Sequence, residues 1–251
     1  MNTTAKRRRA PRWLRSLWRS KTGMVGFIIV AVVMFCAVFA PYIAPYDPNA
    51  INPLYMLKPP AFVEGGDIQF LLGTDNLGHD ILSRLIYGAR ISMLIGVFSV
   101  FVAGFIGTAF GLIAGYYGGI CDSIIMRITD AFHAIPRTLL ALVAVSLMQA
   151  SVTTLIIVIG VTGWVNYARL IRSEVLVLKE REFVKASITI GTPDYKIILK
   201  HILPNVFSVF IVVSTLAVAT SIIAETSLSF LGLGIQPPNV SWGGMLSAGR
   251  N

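Results

Sequence analysis

The chain has 251 residues, of which 55% are hydrophobic and 13% are charged, with a formal net charge of +9. The apolar residues gather in runs long enough to cross a bilayer, which excludes an ordinary soluble domain and indicates an all-α integral membrane protein with one transmembrane domain. The excess of lysine and arginine lies beside these apolar runs, and no separate basic domain with interspersed aromatic residues is present in the sequence. We therefore expect no nucleic-acid partner.

The N-terminal segment, residues 1–23, carries a dense cluster of lysine and arginine. Such a cluster before a first span is typical of a topology signal and of contact with lipid headgroups, and the positive-inside rule predicts a cytoplasmic N-terminus. The first apolar run is too long for the core of a signal peptide and lacks a small-residue cleavage site. We therefore expect it to be retained as a membrane span.

Five membrane spans are visible in the transmembrane domain, residues 24–251, and they are predicted at 24–44, 92–116, 128–147, 153–171 and 206–228. Counting crossings from a cytoplasmic N-terminus places the loop 46–91 outside the cell and the loop 172–205 in the cytoplasm. The outer loop is mainly acidic and the inner loop is basic, so the charge of both agrees with this orientation.

The extracytoplasmic loop, 46–91, starts with several prolines and then becomes acidic and helical. Asp80 and Arg84 lie one helical turn apart, and the loop is expected to pack over the outer mouth of the bundle. Asp75, His79 and Asp80 could serve as metal ligands. An ordinary hydrogen-bonded turn is the preferred interpretation, so we expect no bound metal.

Ionisable residues recur within or near the spans, where a charge in the hydrocarbon core is costly. Arg127, Asp130, His133 and Arg137 have helical spacing and are predicted to occupy one side of the third helix. We interpret them as partners in inter-helix or inter-subunit ion pairs in preference to substrate contacts. Glu225, near the outer end of the fifth span, is a candidate for a position facing a path through the membrane.

No catalytic motif is found in the sequence: it has no Walker-type phosphate loop, no nucleophile elbow and no HExxH pair. We therefore expect a chain that is not itself an enzyme and that binds no cofactor. A secondary carrier with a proton relay through Asp130, His133 and Glu225 remains open, and so does a membrane scaffold that transports nothing.

The insert 182–205 is a charged segment between two spans, and it contains residue types that typically end one short helix and start another. Gly191 can take a positive φ after the first helix, and Thr192 is predicted to cap the second. Pro204 is predicted to push Leu203 toward extended geometry and so to turn the chain into the last span.

One apolar face is predicted on each of these two helices. The residues are Phe183, Ala186 and Ile190 on the first helix, and Tyr195, Ile198 and Ile202 on the second. Such faces need a protein surface to cover them. An amphipathic loop that lies on anionic lipid is the alternative interpretation.

Four stretches of the sequence resemble ABC importer permeases. In 182–205, Ala186, Gly191 and the Leu203-Pro204 pair resemble the EAA loop, although the pattern departs at three positions, Lys185, Ser187 and His201. The others are LGTDNLGHDILSRLIYGARIS at 72–92, YYGGICDSIIMRITDAFHAIP at 116–136 and ETSLSFLGLGIQPPNVSWGGML at 225–246. The order and the residue patterns of these stretches, together with HILPN at 201–205, resemble the peptide/nickel subfamily and its C-type (DppC/OppC-like) member.

The resemblance implies the transmembrane domain of a type I, MetI-like ABC importer in the bacterial inner membrane. Such permeases usually have a sixth helix after the SWGGML segment, so five helices are visible and a sixth is expected beyond Asn251. The sequence leaves open a truncated chain or a five-helix form. The implied substrates are di- or oligopeptides, with nickel or another small solute as the alternative.

The resemblance also implies partners: a sister permease (DppB/OppB-like), one or two cytoplasmic ABC ATPase subunits that use the ATP, and an extracytoplasmic substrate-binding protein. By position in the EAA-like loop, coupling to the ATPase is expected of Phe183, Lys185, Ala186, Ile190, Gly191, Tyr195, His201 and Pro204. Small residues would allow close packing in the ATPase cleft, and lysines would form the polar rim. His79 stands where arginine is usual in the outer motif, so a role that needs a guanidinium group is not implied there.

Overall fold

A computed structural model describes residues 20–250, and this part of the chain is helical without a β-strand. Its helices are α1 Lys21–Ile43, α2 Ile81–Tyr117, α3 Gly119–Ala134, α4 Arg137–Ser146, α5 Val152–Lys179, α6 Glu182–Thr189, α7 Asp194–Ile197, α8 Leu203–Phe230 and α9 Trp242–Ala248. A short 3₁₀ turn spans Pro53–Tyr55, and a π-helical segment, Ile198–Ile202, joins α7 to α8.

Four of these helical stretches are long and apolar enough to cross a membrane: α1, α2, α5 and the continuous helix from α7 through α8. The pair α3 and α4 makes a fifth crossing if the two count together, and they are bent by 83°. The predicted all-α membrane fold is confirmed, and four or five apolar helices are found among the described residues where five were predicted. The basic residues 1–19 lie outside the described residues.

The third predicted span, 128–147, is wrong as one straight helix because it breaks before Pro136. Ile135 is extended at φ −99°, ψ 129°, and α4 starts again at Arg137. Proline has no N–H to donate, and its ring clashes with the carbonyl group four residues earlier. It also disfavours helical geometry in the preceding residue. Arg137 therefore does not share one side of a helix with Asp130 and His133, as the spacing predicted.

Two helices extend into segments that the sequence interpretation placed in loops. The carboxylate of Asp80 accepts the Ser83 N–H at 2.8 Å and caps α2. The helix therefore begins at Ile81, and residues 81–91 form its first turns. At the other end of the bundle, α5 continues to Lys179, so the connection to α8 is shorter than 172–205.

The tightest helix packing is between α2 and α5, where glycines of α2 face the α5 backbone. An added Cβ on Gly111 would lie 2.8 Å from the carbonyl oxygen of Ala168, and one on Gly115 would lie 2.7 Å from Cβ of Val175. In a membrane, small residues stabilise helix pairs because they let two backbones approach closely and gain van der Waals contact.

The remaining helices are arranged around this pair. α8 packs against both α2 and α5, and α1 lies along α2 with most of its apolar side chains exposed. α9 packs against α8 and α2, and the Trp242 ring N–H donates to the carbonyl oxygen of Leu85 at 3.0 Å. An exposed apolar helix such as α1 is suited to contact with lipid chains.

Candidate functional site

We call the segment between α5 and α8, residues 180–202, the connection. A glycine ends its first helix, α6. Gly191 follows α6 with φ +74°. Its N–H donates to the carbonyl oxygen of Ile188 at 2.9 Å, and the Thr192 N–H donates to that of Ser187 at 3.1 Å. These bonds form a Schellman motif, which needs a positive φ at the glycine position. The predicted turn at Gly191 is confirmed.

The second half of the connection differs from the prediction in two ways. The N-cap of α7 is Pro193 rather than Thr192. Leu203 is helical, at φ −53°, ψ −44°, rather than extended. The Leu203 N–H donates to the carbonyl oxygen of Ile198, five residues earlier. The π-helical segment thus lets the helix continue through Pro204, which cannot donate to an ordinary helical ladder.

An apolar face holds the connection against the ends of the long helices. Val184, Ile197 and Ile202 are fully buried, and they pack in one cluster with residues of α2, α5 and α8: Leu112, Tyr116, Ile171, Val175 and Val206. Burying each such side chain contributes on the order of 2 kcal/mol. The connection is therefore a packed part of the fold.

Two polar contacts tie the connection to the end of α2. The Tyr116 hydroxyl donates to a carboxylate oxygen of Asp194 at 2.7 Å. The Lys179 ammonium group donates to the backbone carbonyl of Tyr116 at 2.6 Å and lies 5.6 Å from the centre of its ring. Asp194 also lies in the first turn of α7, where a carboxylate is favourable to the helix dipole.

Replacing Tyr116 with phenylalanine is expected to loosen the connection by about 1 kcal/mol, because a typical net hydrogen bond is lost. Amide hydrogen exchange over 180–202, measured on the membrane-embedded protein, should speed up by about fivefold. The matched control is Tyr167→Phe, which removes a 3.0 Å bond to Ser214 elsewhere in the bundle. Equal exchange rates in the connection of both variants would contradict the tie.

The opposite side of the connection is exposed, and we call it the outward face: Phe183, Lys185, Ala186, Ile190, Gly191 and Tyr195. The Ile190 side chain is 80% exposed and Tyr195 is 60% exposed. Lys185 forms an exposed ion pair with Glu180 at 2.7 Å, and its hydrogen bond lowers the pKa of the Glu180 carboxyl group. Six of the eight predicted coupling residues are thus accessible on the connection.

The other two predicted coupling residues differ from each other in burial. His201 is half-buried, with its ring centre 6.3 Å from that of Phe183, and Pro204 is exposed in the first turn of α8. The predicted shared face of Tyr195, Ile198 and Ile202 is wrong, since Ile202 is fully buried while Tyr195 is exposed. The π-helical segment between them changes the helical repeat and rotates Ile202 into the core.

The ionisable residues in the bundle fall into separate groups, although His133 and Arg137 line one cavity of about 220 Å³. Asp130 of α3 pairs with Arg169 of α5 at 2.7 Å, and both side chains are exposed. This pair is an inter-helix ion pair of the kind predicted for Asp130. His133 is exposed near the end of α3, and Arg137 reaches α5 by donating to the carbonyl oxygen of Ile159 at 2.9 Å.

Glu225 is fully buried between α2, α8 and α9. Its carboxylate accepts from the Ser229 hydroxyl at 2.7 Å and from the Ser92 hydroxyl at 3.4 Å. The Ser92 hydroxyl oxygen in turn accepts a hydrogen bond from the backbone N–H of Trp242 at 3.2 Å. Among the described residues, the hydrogen-bond network of Glu225 includes none of Asp130, His133 and Arg137.

A bidentate ion pair that the sequence interpretation missed joins α3 to α5. Arg172 donates from Nε to one oxygen of Asp122 and from Nη2 to the other. Both residues lie toward the end of the bundle that carries the connection. The sequence could have suggested this ion pair, because Asp122 and Arg172 have opposite charges and lie at the same end of two spans. It did not show that α3 packs against α5.

The predicted hydrogen-bonded turn in the outer loop is present around Asp75. Its carboxylate accepts from the backbone N–H groups of Leu77 and His79, and it contacts the His79 ring at 2.8 Å and the Arg84 guanidinium group at 2.7 Å. Arg84 therefore pairs with Asp75 rather than with Asp80. Among residues 20–250, no group of three or more His, Cys, Asp or Glu side chains could hold a metal ion.

Burial raises the pKa of Asp75, but the hydrogen bonds from His79 and Leu77 outweigh burial and hold that pKa below its usual value. A lowered carboxyl pKa contributes stability above the unfolded value, near pH 4, and this contribution is lost as the pH falls through the lower folded value.

We therefore expect the outer loop to become more sensitive to pepsin as the pH falls below about 4. The Asp75→Asn variant should show a smaller change with pH. Asp67→Asn is the matched control, because Asp67 lies in the same loop and accepts only from the nearby Gln69 N–H. The same pH dependence in all three proteins would contradict the role of Asp75.

Family comparisons match most of the chain. Residues 107–250 match the family described as "Binding-protein-dependent transport system inner membrane component". Residues 12–60 match the N-terminal TM domain of oligopeptide transport permease C.

Three curated relatives are similar over nearly the whole chain. The dipeptide transport system permease protein DppC of Haemophilus influenzae is 39% identical over 241 residues, covering 94% of this chain and 82% of the relative. The oligopeptide transport system permease protein OppC of Bacillus subtilis is 41% identical, covering 93% and 77%. The glutathione transport system permease protein GsiD of Escherichia coli is 41% identical, covering 94% and 76%.

A solved structure of the MetNI methionine ABC transporter in inward facing conformations has a similar fold. One of its chains aligns with a TM-score of 0.53 at 19% identity, over 60% of this chain and 76% of that chain. The predicted MetI-like architecture is confirmed at the level of the fold.

Proposed function

This chain belongs to the family of binding-protein-dependent transport system inner membrane components, and we propose that it is the permease subunit of an ATP-driven importer of di- and oligopeptides. The observation that supports the substrate class is the similarity of nearly the whole chain to relatives named for dipeptide, oligopeptide and glutathione transport. All three names describe small peptides. They favour peptides over nickel or another small solute, and the family favours ATP-driven import over an ion-coupled secondary carrier.

The outward face of the connection is the docking surface for a cytoplasmic ATPase subunit. It combines large exposed apolar side chains, such as Ile190 and Tyr195, with the rim charge of Lys185. An apolar centre with aromatic residues and a polar rim is the common anatomy of a protein interface. The ATPase hydrolyses the ATP, and this chain supplies the membrane path together with a sister permease.

Force from the ATPase reaches the membrane spans through the opposite side of the connection. Its buried residues pack directly on α2, α5 and α8, and Asp194 is held by Tyr116. A connection anchored in this way moves the long helices when it is displaced, because packed elements transmit strain with little compression. The Schellman turn at Gly191 keeps the two short helices at a defined angle.

The proposed orientation has the N-terminus and the connection in the cytoplasm, and the loop between α1 and α2 outside. The basic residues of the N-terminus and the connection support this orientation through the positive-inside rule. On the outer side, a cleft of about 690 Å³ opens between the Asp75 turn and the segment before α9. The outer loop and this cleft are the surface offered to the substrate-binding protein.

Uptake of labelled peptides tests the substrate class. A strain in which this gene is deleted should lose uptake of labelled di- and oligopeptides, and a plasmid copy should restore it. Uptake of labelled nickel, measured in the same cells, distinguishes the peptide hypothesis from the nickel alternative. Peptide uptake that is unchanged by the deletion while nickel uptake falls would reject the proposal.

A further inference from the structure

Arg137 lies at the first position of α4, and its guanidinium group reaches the first half of α5. Nη2 donates to the carbonyl oxygen of Ile159 at 2.9 Å, and Nε lies 3.5 Å from the hydroxyl of Thr162. These two residues are about 10 to 15 Å along α5 from its start at Val152, given a rise of 1.5 Å per residue. With the start of α5 placed at the edge of a hydrocarbon core about 30 Å thick, this depth is near the centre of the core.

The charge of Arg137 is not neutralised by a carboxylate in the part of the chain that the structure describes. The ion pairs among residues 20–250 involve other cations, and both hydrogen-bond partners of Arg137 are neutral oxygens. A guanidinium group has five N–H donors. An unpaired cation at this depth is costly, which favours an anionic partner that reaches it from outside the chain.

Three small cavities are each lined by Arg137: the first lies between α2, α4, α5 and α8, the second between α4, α5 and α8, and the third between α3, α4 and α5. Their volumes are about 160, 120 and 220 Å³. The first and the third also share Asn166, and the first includes Thr220 of α8. A mainly apolar wall with a few convergent polar groups is typical of a small-molecule site.

We propose that Arg137 binds the C-terminal carboxylate of a peptide while the peptide crosses the membrane, with Asn166 and Thr220 as neutral polar contacts beside it. The planar guanidinium group suits a carboxylate because it can donate two parallel hydrogen bonds. This inference rests on the proposed peptide-import function. It adds the part of the substrate that the path recognises.

The first test measures uptake of a labelled dipeptide by the complete transporter in proteoliposomes, with its binding protein and ATP. Arg137→Gln should lower the transport rate by about 10- to 100-fold, because a charge-assisted hydrogen bond is lost. Arg137→Lys should retain more activity than Arg137→Gln, since it keeps the charge. The matched control is Arg250→Gln, because Arg250 is exposed and follows α9, and this variant should transport at the wild-type rate.

The second test asks whether the carboxylate itself is bound. A photoreactive dipeptide with a free C-terminus should label α4, α5 or α8 in the wild-type complex and should fail to label Arg137→Gln. Unlabelled dialanine should compete for labelling, whereas dialanine amide should not.

Three results would overturn the inference: labelling that survives in Arg137→Gln, equal competition by the amide, or no wild-type labelling on these helices. Loss of the sister permease from purified Arg137→Gln complex would instead assign the charge to an inter-subunit ion pair and would also overturn it. A wild-type complex that imports no peptide defeats the proposed function. Normal peptide import by Arg137→Gln with unchanged labelling defeats only this inference.

Discussion

Tyr195→Asp should reduce ATP-driven peptide uptake by at least about 30-fold while the protein remains folded in the membrane. The Tyr195 side chain is 60% exposed on the outward face. In the proposed complex the new carboxylate would be buried against the ATPase without a partner. Loss of a central aromatic contact costs about 2 kcal/mol or more in protein interfaces, which corresponds to this factor. The measurements are co-purification of the ATPase and uptake in proteoliposomes.

Tyr117→Asp is the matched control for this prediction. Tyr117 is the last residue of α2, at the same end of the bundle, and its side chain is 56% exposed outside the outward face. This variant should retain the ATPase and transport normally. If Tyr195→Asp also co-purifies with the ATPase and imports peptide at the wild-type rate, the outward face is not the docking surface.

Gly107→Val should prevent α2 from packing against α5 and should destabilise the bundle by about 3 kcal/mol or more. An added Cβ on Gly107 would overlap the carbonyl oxygen of Trp164 and the Cβ atom of Tyr167. A backbone atom cannot move aside as the end of a side chain can, so the two helices would have to separate. The measurement is the thermal midpoint of the purified complex together with its amount in the membrane.

Gly26→Val is the matched control, because it makes the same substitution in a membrane helix of the same chain. An added Cβ on Gly26 meets no heavy atom within 4 Å. The two variants therefore share the change in helix propensity and differ in packing. A Gly107→Val protein as stable and as abundant as Gly26→Val would show that the close approach of α2 and α5 is not required.

Local backbone features were predictable where a single residue type decides them. Gly191 was predicted to take a positive φ after a helix, and it does so at the end of α6. Pro136 and Pro204 were harder, because the effect of a proline depends on what surrounds it. Pro136 breaks a helix, whereas Pro204 is accommodated by the π-helical segment before it. Packing of that segment against α2 and α5 is a long-range effect that no local pattern reports.

The candidate coupling residues were found because the connection is a charged segment with an apolar remainder between two spans. Which apolar residues face outward was only partly predictable. Phe183 and Ile190 are exposed as expected, but Ile202 is buried in the cluster that anchors the connection. Their roles at an ATPase remain predictions of the proposed function.

The sequence by itself determined the class of the protein, because long apolar runs have a low free energy only in a bilayer and four long motifs in order indicate the family. It also indicated the position of the connection. Only the tertiary structure decided which charges meet, since Asp122 finds Arg172 and Asp130 finds Arg169 across helices that are far apart in the chain. The same holds for Arg137, because its lack of a carboxylate partner among the described residues depends on contacts between several helices, and such contacts are set by packing rather than by periodicity.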